Sequence, residues 1–275
     1  MTDHYAVVGN PVAHSVSPEI HAEFARQTGQ DLDYLRLPAP RDGFKATVLK
    51  FRDEGGKGVN VTLPFKHEAW SLVTAHGGDA LDAGAVNTID FRDGRITGHN
   101  TDGIGLVTDL EQNLKFPLRG KRVLLMGAGG ATYGVMGPML AARPELLVVA
   151  NRTPDKALAL VAHFEKSAKL ARQGVSALPY PQLGGSRFDL VINATSAGLS
   201  DAMPALPSGI FAAGALAYDM VYGKSTPFMT FAAAQEATVA GGIGMLVEQA
   251  AAAFLIWRGV RPATAPVIAM LKRES

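Results

Sequence analysis

Short apolar runs alternate with amphipathic segments along the chain, and one such alternation is sharply delimited. Residues 122–126 form an apolar run, residues 127–131 form a turn of glycine and alanine, and residues 132–142 have helical spacing before a second apolar run at residues 146–150. This order predicts a strand, a tight turn, a helix and a parallel strand, which together make a βαβ unit. The turn would place backbone N–H groups at a helix N-terminus.

The pattern before this unit predicts another α/β layer. Apolar runs at residues 5–9, 32–37 and 58–62 predict strands, and residues 19–27 and 43–52 predict helices between them. Such alternation favours a sheet covered by helices.

A hairpin and a helix are expected next. Two alternating segments, at residues 86–91 and 95–99, flank Asp93 and Gly94. An Asp-Gly pair between such segments is typical of a two-residue β-hairpin. Helical spacing over residues 104–114 predicts a helix after the hairpin.

The pattern after the βαβ unit predicts further strands, with a joint behind them. Strands are expected at residues 175–178, 189–194 and 215–221, a helix at residues 228–237, and a flexible joint at residues 241–244.

The last part of the chain is predicted to be helical. Residues 245–257 are apolar almost all round, which indicates a buried helix, and residues 262–273 predict a final helix. Because the strands have ended by then, these helices are expected to pack back onto the first domain. The fold class is therefore α/β, with two domains.

The composition is that of a globular protein, and the net charge limits the classes of partner that the protein is expected to bind. Of the 275 residues, 47% are hydrophobic and 19% are charged, as in folded domains with sizeable cores. The net charge is only +1, so no nucleic-acid or membrane partner is expected. Cysteine is absent, which excludes disulfides and thiolate metal sites. The chain lacks a signal-like start and any apolar stretch of about 18 residues, so a cytoplasmic protein is expected.

The small-residue turn is suited to holding an anion. Glycines let a phosphate approach the backbone, and the helix dipole favours negative charge there, as in dinucleotide-binding folds. The G-x-G-x-x-G pattern is incomplete, because Thr132 stands at its third glycine. A glycine-rich turn without a ligand is therefore the alternative.

The end of the second strand of the βαβ unit indicates which nucleotide the turn would bind. NAD sites usually carry Asp or Glu there for the ribose 2′-hydroxyl. This chain has Asn151, Arg152 and Thr153 at that place, with Lys156 one turn on. Two cations and no carboxylate fit a 2′-phosphate, which predicts NADP. The alternative is that Arg152 and Lys156 are solvated surface charges.

A pair of hydroxyls stands at the start of the predicted first helix. Ser15 and Ser17 are one residue apart and could jointly donate to a carboxylate. Ser17 before Pro18 also fits an N-cap followed by proline at the first helical position, so a structural role is the alternative for Ser17.

Three polar residues at or in predicted helices are candidates for chemistry. Pro64 is expected to open a helix with Lys66 in its first turn, where a cation opposes the helix dipole; a solvated surface lysine is the alternative. Asp102 is either an N-cap or a functional carboxylate. Gln249, in the apolar helix, is either a hydrogen-bond partner of another helix or a ligand contact.

Eight motifs stand along the chain in a fixed order. They are Ser15-Val16-Ser17-Pro18, Asn60-Val61-Thr62-Leu63-Pro64-Phe65-Lys66, Ala85-Val86-Asn87-Thr88, Asn100-Thr101-Asp102-Gly103, Gly127-Ala128-Gly129-Gly130-Ala131, Asn151-Arg152-Thr153, Asn193-Ala194-Thr195-Ser196 and Gly242-Ile243-Gly244-Met245-Leu246-Val247-Glu248-Gln249. In this order they resemble the shikimate dehydrogenases, and the resemblance covers nearly the whole chain.

The resemblance implies an N-terminal substrate-binding domain and a Rossmann-like nucleotide-binding domain, with the C-terminal helices returning to the first. It assigns residues 1–102 and 243–275 to the substrate-binding and catalytic domain, and residues 103–242 to the NADP-binding domain. The implied activity is the reversible NADPH-dependent reduction of 3-dehydroshikimate to shikimate, in the pathway to chorismate and aromatic amino acids. It implies no metal.

The resemblance also implies roles for single residues. Ser15 and Ser17 match the hydroxyls that bind the shikimate carboxylate, and Lys66 and Asp102 match the catalytic pair. The other residues that match substrate contacts, beside Lys66 and Asp102 themselves, are Thr62, Asn87, Tyr222 and Gln249. The residues that match the cofactor site are Gly127, Ala128, Gly129, Gly130, Ala131, Asn151, Arg152, Thr153, Lys156, Thr195, Met220 and Gly242.

Two departures and several alternatives stay open at this point. Tyr133 stands where many relatives carry an arginine, and Tyr222 lacks the proline that often follows it. Lys66 is either a general base or an electrostatic stabiliser. The rival functions are an NAD-dependent quinate/shikimate dehydrogenase and a non-catalytic NADP-binding regulator. The sequence does not determine the oligomeric state and is compatible with a homodimer.

Overall fold

The computed structural model describes residues 2–171, 174–195, 203 and 206–274. Ser196, which ends one of the motifs above, lies outside them. The chain forms two compact units: Met1–Leu106 with Leu246–Leu271, and Val107–Met245 with Lys272–Ser275. Within the described residues, no helix combines the length and apolarity needed to cross a bilayer.

The first unit is built on a mixed sheet with the strand order β2-β1-β3-β5-β6-β4. Strand β1 pairs in parallel with β2 and β3, whereas β5 runs antiparallel to β3 and β6. Val8, Val59, Val61 and Ile89 are fully or almost fully buried in its core, as the apolar runs predicted. The strands are β1 (Asp3–Gly9), β2 (Leu32–Pro38), β3 (Gly58–Val61), β4 (Ala75–His76), β5 (Thr88–Asp90) and β6 (Thr97–His99).

Helices cover this sheet, and the last two come from the end of the chain. Trp257, near the C-terminus of the chain, donates its indole N–H to the Ile89 carbonyl at 3.1 Å, and its ring stacks on Tyr5. The prediction that the C-terminal helices return to the first domain is therefore confirmed. The helices are α1 (Ser17–Thr28), α2 (Phe44–Asp53), α3 (Lys66–Leu72), α4 (Gly78–Ala83), α5 (Asp102–Thr108), α9 (Ile243–Arg258) and α10 (Ala265–Glu274).

The second unit has a wholly parallel sheet with the order β12-β11-β10-β7-β8-β9. This is the doubly wound order of dinucleotide-binding domains, in which the strand order reverses between β7 and β10. The strands are β7 (Arg122–Met126), β8 (Leu146–Ala150), β9 (Gly174–Leu178), β10 (Phe188–Asn193), β11 (Phe211–Asp219) and β12 (Thr238–Gly241). The helices between them are α6 (Gly130–Ala141), α7 (Pro154–Ala171) and α8 (Pro227–Ala233).

The hairpin exists, but the prediction of a two-residue turn is wrong. Strands β5 and β6 pair antiparallel, and the connection between them contains a 3₁₀ turn at Arg92–Gly94. Asp90 accepts from the Arg92 guanidinium at 2.7 Å and from its backbone N–H at 3.4 Å. These bonds widen the connection, while Asp93 and Gly94 keep the left-handed backbone that their pattern indicated.

The flexible joint predicted at residues 241–244 lies at the end of a strand and the start of a helix, just before the boundary between the two units. Helix α8 ends at Ala233, and the chain then adds the parallel strand β12, which ends at Gly241. Gly244 lies inside α9, where a β-carbon would come within 1.8 Å of the Asp109 carboxylate. The glycine therefore permits the close approach of this carboxylate to α9.

The helix predicted over residues 104–114 begins two residues earlier than expected and is not α-helical throughout. Helix α5 starts at Asp102, and a π-helical turn over Asp109–Asn113 follows it. Asp109 is buried and accepts from the Tyr218 hydroxyl at 2.7 Å, which holds this turn against β11.

Candidate active site

Lys66 and Asp102 form an ion pair in the first unit. The Lys66 Nζ atom lies 2.5 Å from Asp102 Oδ2, and the two side chains are only 16% and 9% exposed. Each is the first residue of its helix. Pro64 does not open the helix as predicted: it lies in the turn before α3, whose N-cap is Phe65. The buried pair disfavours the alternative of a solvated surface lysine.

The Asp102 carboxylate is not an N-cap. Asn100 takes the local role, because its Oδ1 accepts from the Asp102 backbone N–H at 3.1 Å. The two Asp102 oxygens instead bind Lys66 and the Asn87 amide, the latter at 2.9 Å. Its carboxylate is thereby aimed at other side chains, as the functional interpretation requires.

Asn87 and Gln249 lie beside this pair. The Asn87 amide donates to Asp102, and its Oδ1 accepts from the Thr101 backbone N–H at 2.8 Å, so its orientation is fixed. Gln249 donates to the Leu246 carbonyl and turns its Oε1 toward Thr101 and Asn87, at 3.4 and 3.5 Å. Gln249 is half-buried, so its side chain remains accessible to a ligand.

The two serines form a second polar patch in the first unit. The hydroxyls of Ser15 and Ser17 lie 3.1 Å apart. Ser17 is the first residue of α1 and not its N-cap, which is Val16 and has no side-chain capping bond. The N-cap alternative for Ser17 is therefore wrong. The Ser15 hydroxyl oxygen accepts from the Ser17 backbone N–H at 3.3 Å, so both hydroxyls lie at the start of α1, where the helix dipole favours an anion.

Thr62 follows β3 and is half-buried. Its backbone N–H bonds the Val8 carbonyl, while its hydroxyl has no hydrogen-bond partner in the described part of the chain. The structure therefore leaves this hydroxyl available to a ligand.

Sequence reasoning missed a buried hydrogen-bond chain that runs toward Asn87. The Tyr34 hydroxyl donates to Asn60 Oδ1 at 2.7 Å, the Asn60 amide donates to the Thr88 hydroxyl at 3.0 Å, and Thr88 donates to Asn87 Oδ1 at 2.9 Å. Burial raises the pKa of Tyr34 well above its usual value, so its hydroxyl stays a donor. The one available signal was Asn60, a polar residue inside an otherwise apolar strand.

His21 packs against the Tyr34 end of this hydrogen-bond chain. Its ring lies parallel to that of Tyr34, with the ring centres 4.1 Å apart, and it is 1% exposed. Burial lowers the pKa of His21 from 6.5 to about 3, because the imidazolium would lose its hydration. The imidazole is therefore neutral near pH 7.

We expect acid to destabilise the first unit through His21. Between pH 6.5 and about pH 3 the unfolded chain protonates this imidazole and the folded chain does not, so stability falls as pH falls. The loss at pH 5 should be about 2 kcal/mol, at about 1.4 kcal/mol per pH unit below 6.5. Urea unfolding of the native chain and His21→Phe at pH 7 and pH 5 measures this; equal pH dependence in both proteins would contradict it.

The glycine-rich turn of the second unit lies where the strand order reverses. It follows β7, and Thr195 follows the neighbouring β10. Gly127 has φ +109°, and a β-carbon there would approach the Ala194 carbonyl to 3.0 Å. Gly129 is the N-cap of α6, provides no side-chain cap and has open space beside it. Backbone N–H groups at this end of α6 therefore remain for an anion.

Thr195, Met220 and Gly242 stand at the carboxyl ends of the next strands. The Thr195 hydroxyl donates to Asn193 Oδ1 at 2.7 Å. A β-carbon at Gly242 would come within 2.4 Å of the Met220 carbonyl, so these two segments approach as only glycine permits. In an open α/β sheet this edge is where ligands bind.

The predicted cation pair follows β8. Asn151 donates to the Thr153 carbonyl at 2.9 Å, which shapes the turn. Arg152 and Lys156 are exposed, and neither forms an ion pair among the residues that the structure describes. Burial raises the pKa of Tyr180 to about 12, and the Arg152 charge opposes that rise. Both cations are free to meet an anion.

The two tyrosines that depart from the resemblance lie in the second unit. Tyr133, on α6, packs edge-on against His163 of α7, with ring centres 5.6 Å apart. Tyr222 lies in the turn after β11 and is 39% exposed.

Comparison with known proteins places the chain in one family. Three family models match it: shikimate dehydrogenase substrate binding domain over residues 7–89, shikimate/quinate 5-dehydrogenase over residues 109–200, and shikimate 5′-dehydrogenase C-terminal domain over residues 242–272.

Single relatives match over nearly their full length. Shikimate dehydrogenase (NADP(+)) of Methylobacillus flagellatus is 56% identical, and the match covers 98% of this chain and 99% of that protein. An Ael1 enzyme from Pseudomonas putida has a crystal structure with a TM-score of 0.91, 48% identity and 98% coverage of both chains. Shikimate 5-dehydrogenase from Thermus thermophilus, in complex with NADP(H) and shikimate, gives a TM-score of 0.87, 34% identity and 99% coverage of both chains.

Proposed function

The chain belongs to the shikimate dehydrogenase family, and we propose that it catalyses the reversible NADPH-dependent reduction of 3-dehydroshikimate to shikimate, on the route to chorismate and aromatic amino acids. The observation that carries this proposal is the buried Lys66–Asp102 pair beside Asn87. Residues 1–102 and 243–275 would bind substrate, and residues 103–242 would bind NADP.

The polar groups of the first unit match the functional groups of shikimate. The Ser15 and Ser17 hydroxyls, at the start of α1, would bind the carboxylate. The ring hydroxyls of shikimate would form hydrogen bonds with four polar side chains of the first unit. These are Thr62, Asn87, Asp102 and Gln249. Tyr222 is proposed as a further substrate contact.

The second unit fits NADP at three points. The turn from Gly127 to Ala131 would hold the pyrophosphate at the α6 N-terminus, and Arg152 with Lys156 would grip the 2′-phosphate. Asn151 and Thr153 shape the turn that presents those cations. Thr195, Met220 and Gly242 would line the remainder of the cofactor. When bound, NADPH supplies the hydride.

Lys66 and Asp102 would handle the proton. Reduction of the 3-keto group develops negative charge on its oxygen, and an ammonium beside it both stabilises that charge and donates the proton. Asp102 accepts a hydrogen bond from Lys66 and thereby aims the ammonium. In the reverse direction the same side chain would take the proton from the shikimate hydroxyl.

An NAD-dependent quinate/shikimate dehydrogenase is the nearest rival, and one assay separates the two. Initial rates with shikimate or quinate, each with NADP or NAD, should favour shikimate and NADP. Arg152 and Lys156, which form no ion pair within the described residues, favour the phosphorylated cofactor, because neither residue 151 nor residue 153 is the acidic residue that NAD sites usually carry at this strand end. A preference for NAD would overturn the cofactor assignment.

We also propose that the protein is a cytoplasmic homodimer. Size-exclusion chromatography with light scattering gives the mass in solution. A monomer near the chain mass of 28.9 kDa would reject the dimer.

A further inference from the structure

Arg36 holds the serine patch from the neighbouring edge strand. It lies on β2, its Nε donates to the Ser15 carbonyl at 2.8 Å, and its Nη2 donates to Glu19 Oε1 at 2.6 Å. The side chain is 35% exposed, so these two bonds define its position while one face meets solvent.

The serine patch, Ser15 and Ser17, carries no positive charge of its own with which to attract a carboxylate. Two hydroxyls can bind a carboxylate but bring no charge, and residues 10–25 contain no lysine or arginine. Glu19 in the first turn of α1 adds a negative charge at the end of the helix that would receive the substrate carboxylate. Like charges there repel each other.

The two bonds of Arg36 compensate for the missing positive charge and for the negative charge of Glu19. Pairing with Glu19 offsets the repulsive carboxylate and turns it toward β2. Bonding the Ser15 carbonyl fixes the backbone that carries both hydroxyls. A guanidinium suits this double task, because its donors are held in a rigid planar fork.

We propose that Arg36 is a positioning residue that sets specificity for the substrate carboxylate, an inference that rests on the proposed function. Arg36→Gln should raise KM for shikimate about tenfold, the size expected for loss of one partly screened charge a few ångströms away, and change kcat less than about twofold. Arg36→Lys restores the charge without the fork and should recover part of the affinity.

The methyl ester of shikimate separates a carboxylate role from general support of the fold. It lacks the negative charge and keeps the ring. The ratio of kcat/KM for shikimate to that for the ester should be large in the native chain and should shrink about tenfold in Arg36→Gln. Arg26→Gln is the matched control, because Arg26 lies on α1 in an exposed pair with Glu23. It should leave the ratio unchanged.

The outcomes distinguish failure of this inference from failure of the proposed function. A native chain that treats acid and ester alike would overturn the carboxylate site itself. A native chain that discriminates, with Arg36→Gln raising KM equally for both compounds or for neither, would overturn only the role of Arg36. If Arg36→Gln does not fold, Glu19→Gln decides, since it should lower KM for shikimate but not for the ester; an unchanged ratio rejects the inference.

Discussion

Replacing Lys66 with alanine is expected to lower kcat by about 10²–10⁴ with little change in KM for shikimate, which is the scale of a lost acid–base group. The reason is geometric. The Lys66 ammonium is held 2.5 Å from Asp102 by a helix start whose dipole it opposes, so helix stability does not account for its position. Steady-state kinetics in both directions, with circular dichroism to establish folding, measures the effect.

Lys50→Ala is the matched control for this variant. Lys50 lies on α2, is 76% exposed and contacts Glu54 at 3.8 Å, so its removal should leave turnover unchanged. A folded Lys66→Ala enzyme that keeps more than about half of native kcat would remove Lys66 from the chemistry and would also revive the non-catalytic NADP-binding regulator as an interpretation.

Arg152→Ala is expected to weaken NADP binding by roughly 2–3 kcal/mol, or about 30–150-fold, while NAD binding changes little. Arg152 is exposed and unpaired in the described part of the chain, so the loss should be that of its bonds to the 2′-phosphate alone. Isothermal titration with both nucleotides gives the two changes directly.

Arg119→Ala serves as the control for the cofactor prediction. Arg119 is exposed and precedes β7, so it lies near the amino-terminal end of this strand, whereas the glycine-rich turn follows its carboxyl end. Equal losses for NADP and NAD in Arg152→Ala would contradict the phosphate clamp, because the two nucleotides differ only in that phosphate.

Most of the second unit could be predicted from the sequence, because its signals are local. Apolar runs of four to six residues specified β7, β8, β9 and β10, and the small-residue turn after β7 identified the ligand edge. Strand β12 escaped prediction because it is only four residues long, ends in glycine and exposes Thr238 and Val239.

The sequence indicated which residues belong to the candidate site, but it did not indicate which of their side chains contact each other. Ser17 and Asp102 each had a local capping role that fitted the sequence equally well. For Asp102 the deciding contact is distant in the chain, because it pairs with Lys66, 36 residues away. For Ser17 it is the backbone, because α1 begins at Ser17 and its N-cap is Val16.

The supporting hydrogen bonds were missed for the same physical reason. Tyr34, Asn60 and Thr88 lie on three different strands, and their bonds span 26 and 28 residues. Local periodicity reports which side of a strand is buried, but it does not report which polar groups meet there. Such partners become visible only once the strand order is known.

The most direct test of the proposed activity is absorbance in the reduced-nicotinamide band after mixing the purified chain with shikimate and NADP. We expect a rise that requires both compounds, reverses when 3-dehydroshikimate and NADPH are supplied instead, and falls about 10²–10⁴-fold in rate in Lys66→Ala. No rise with the native, folded chain would contradict the proposed activity.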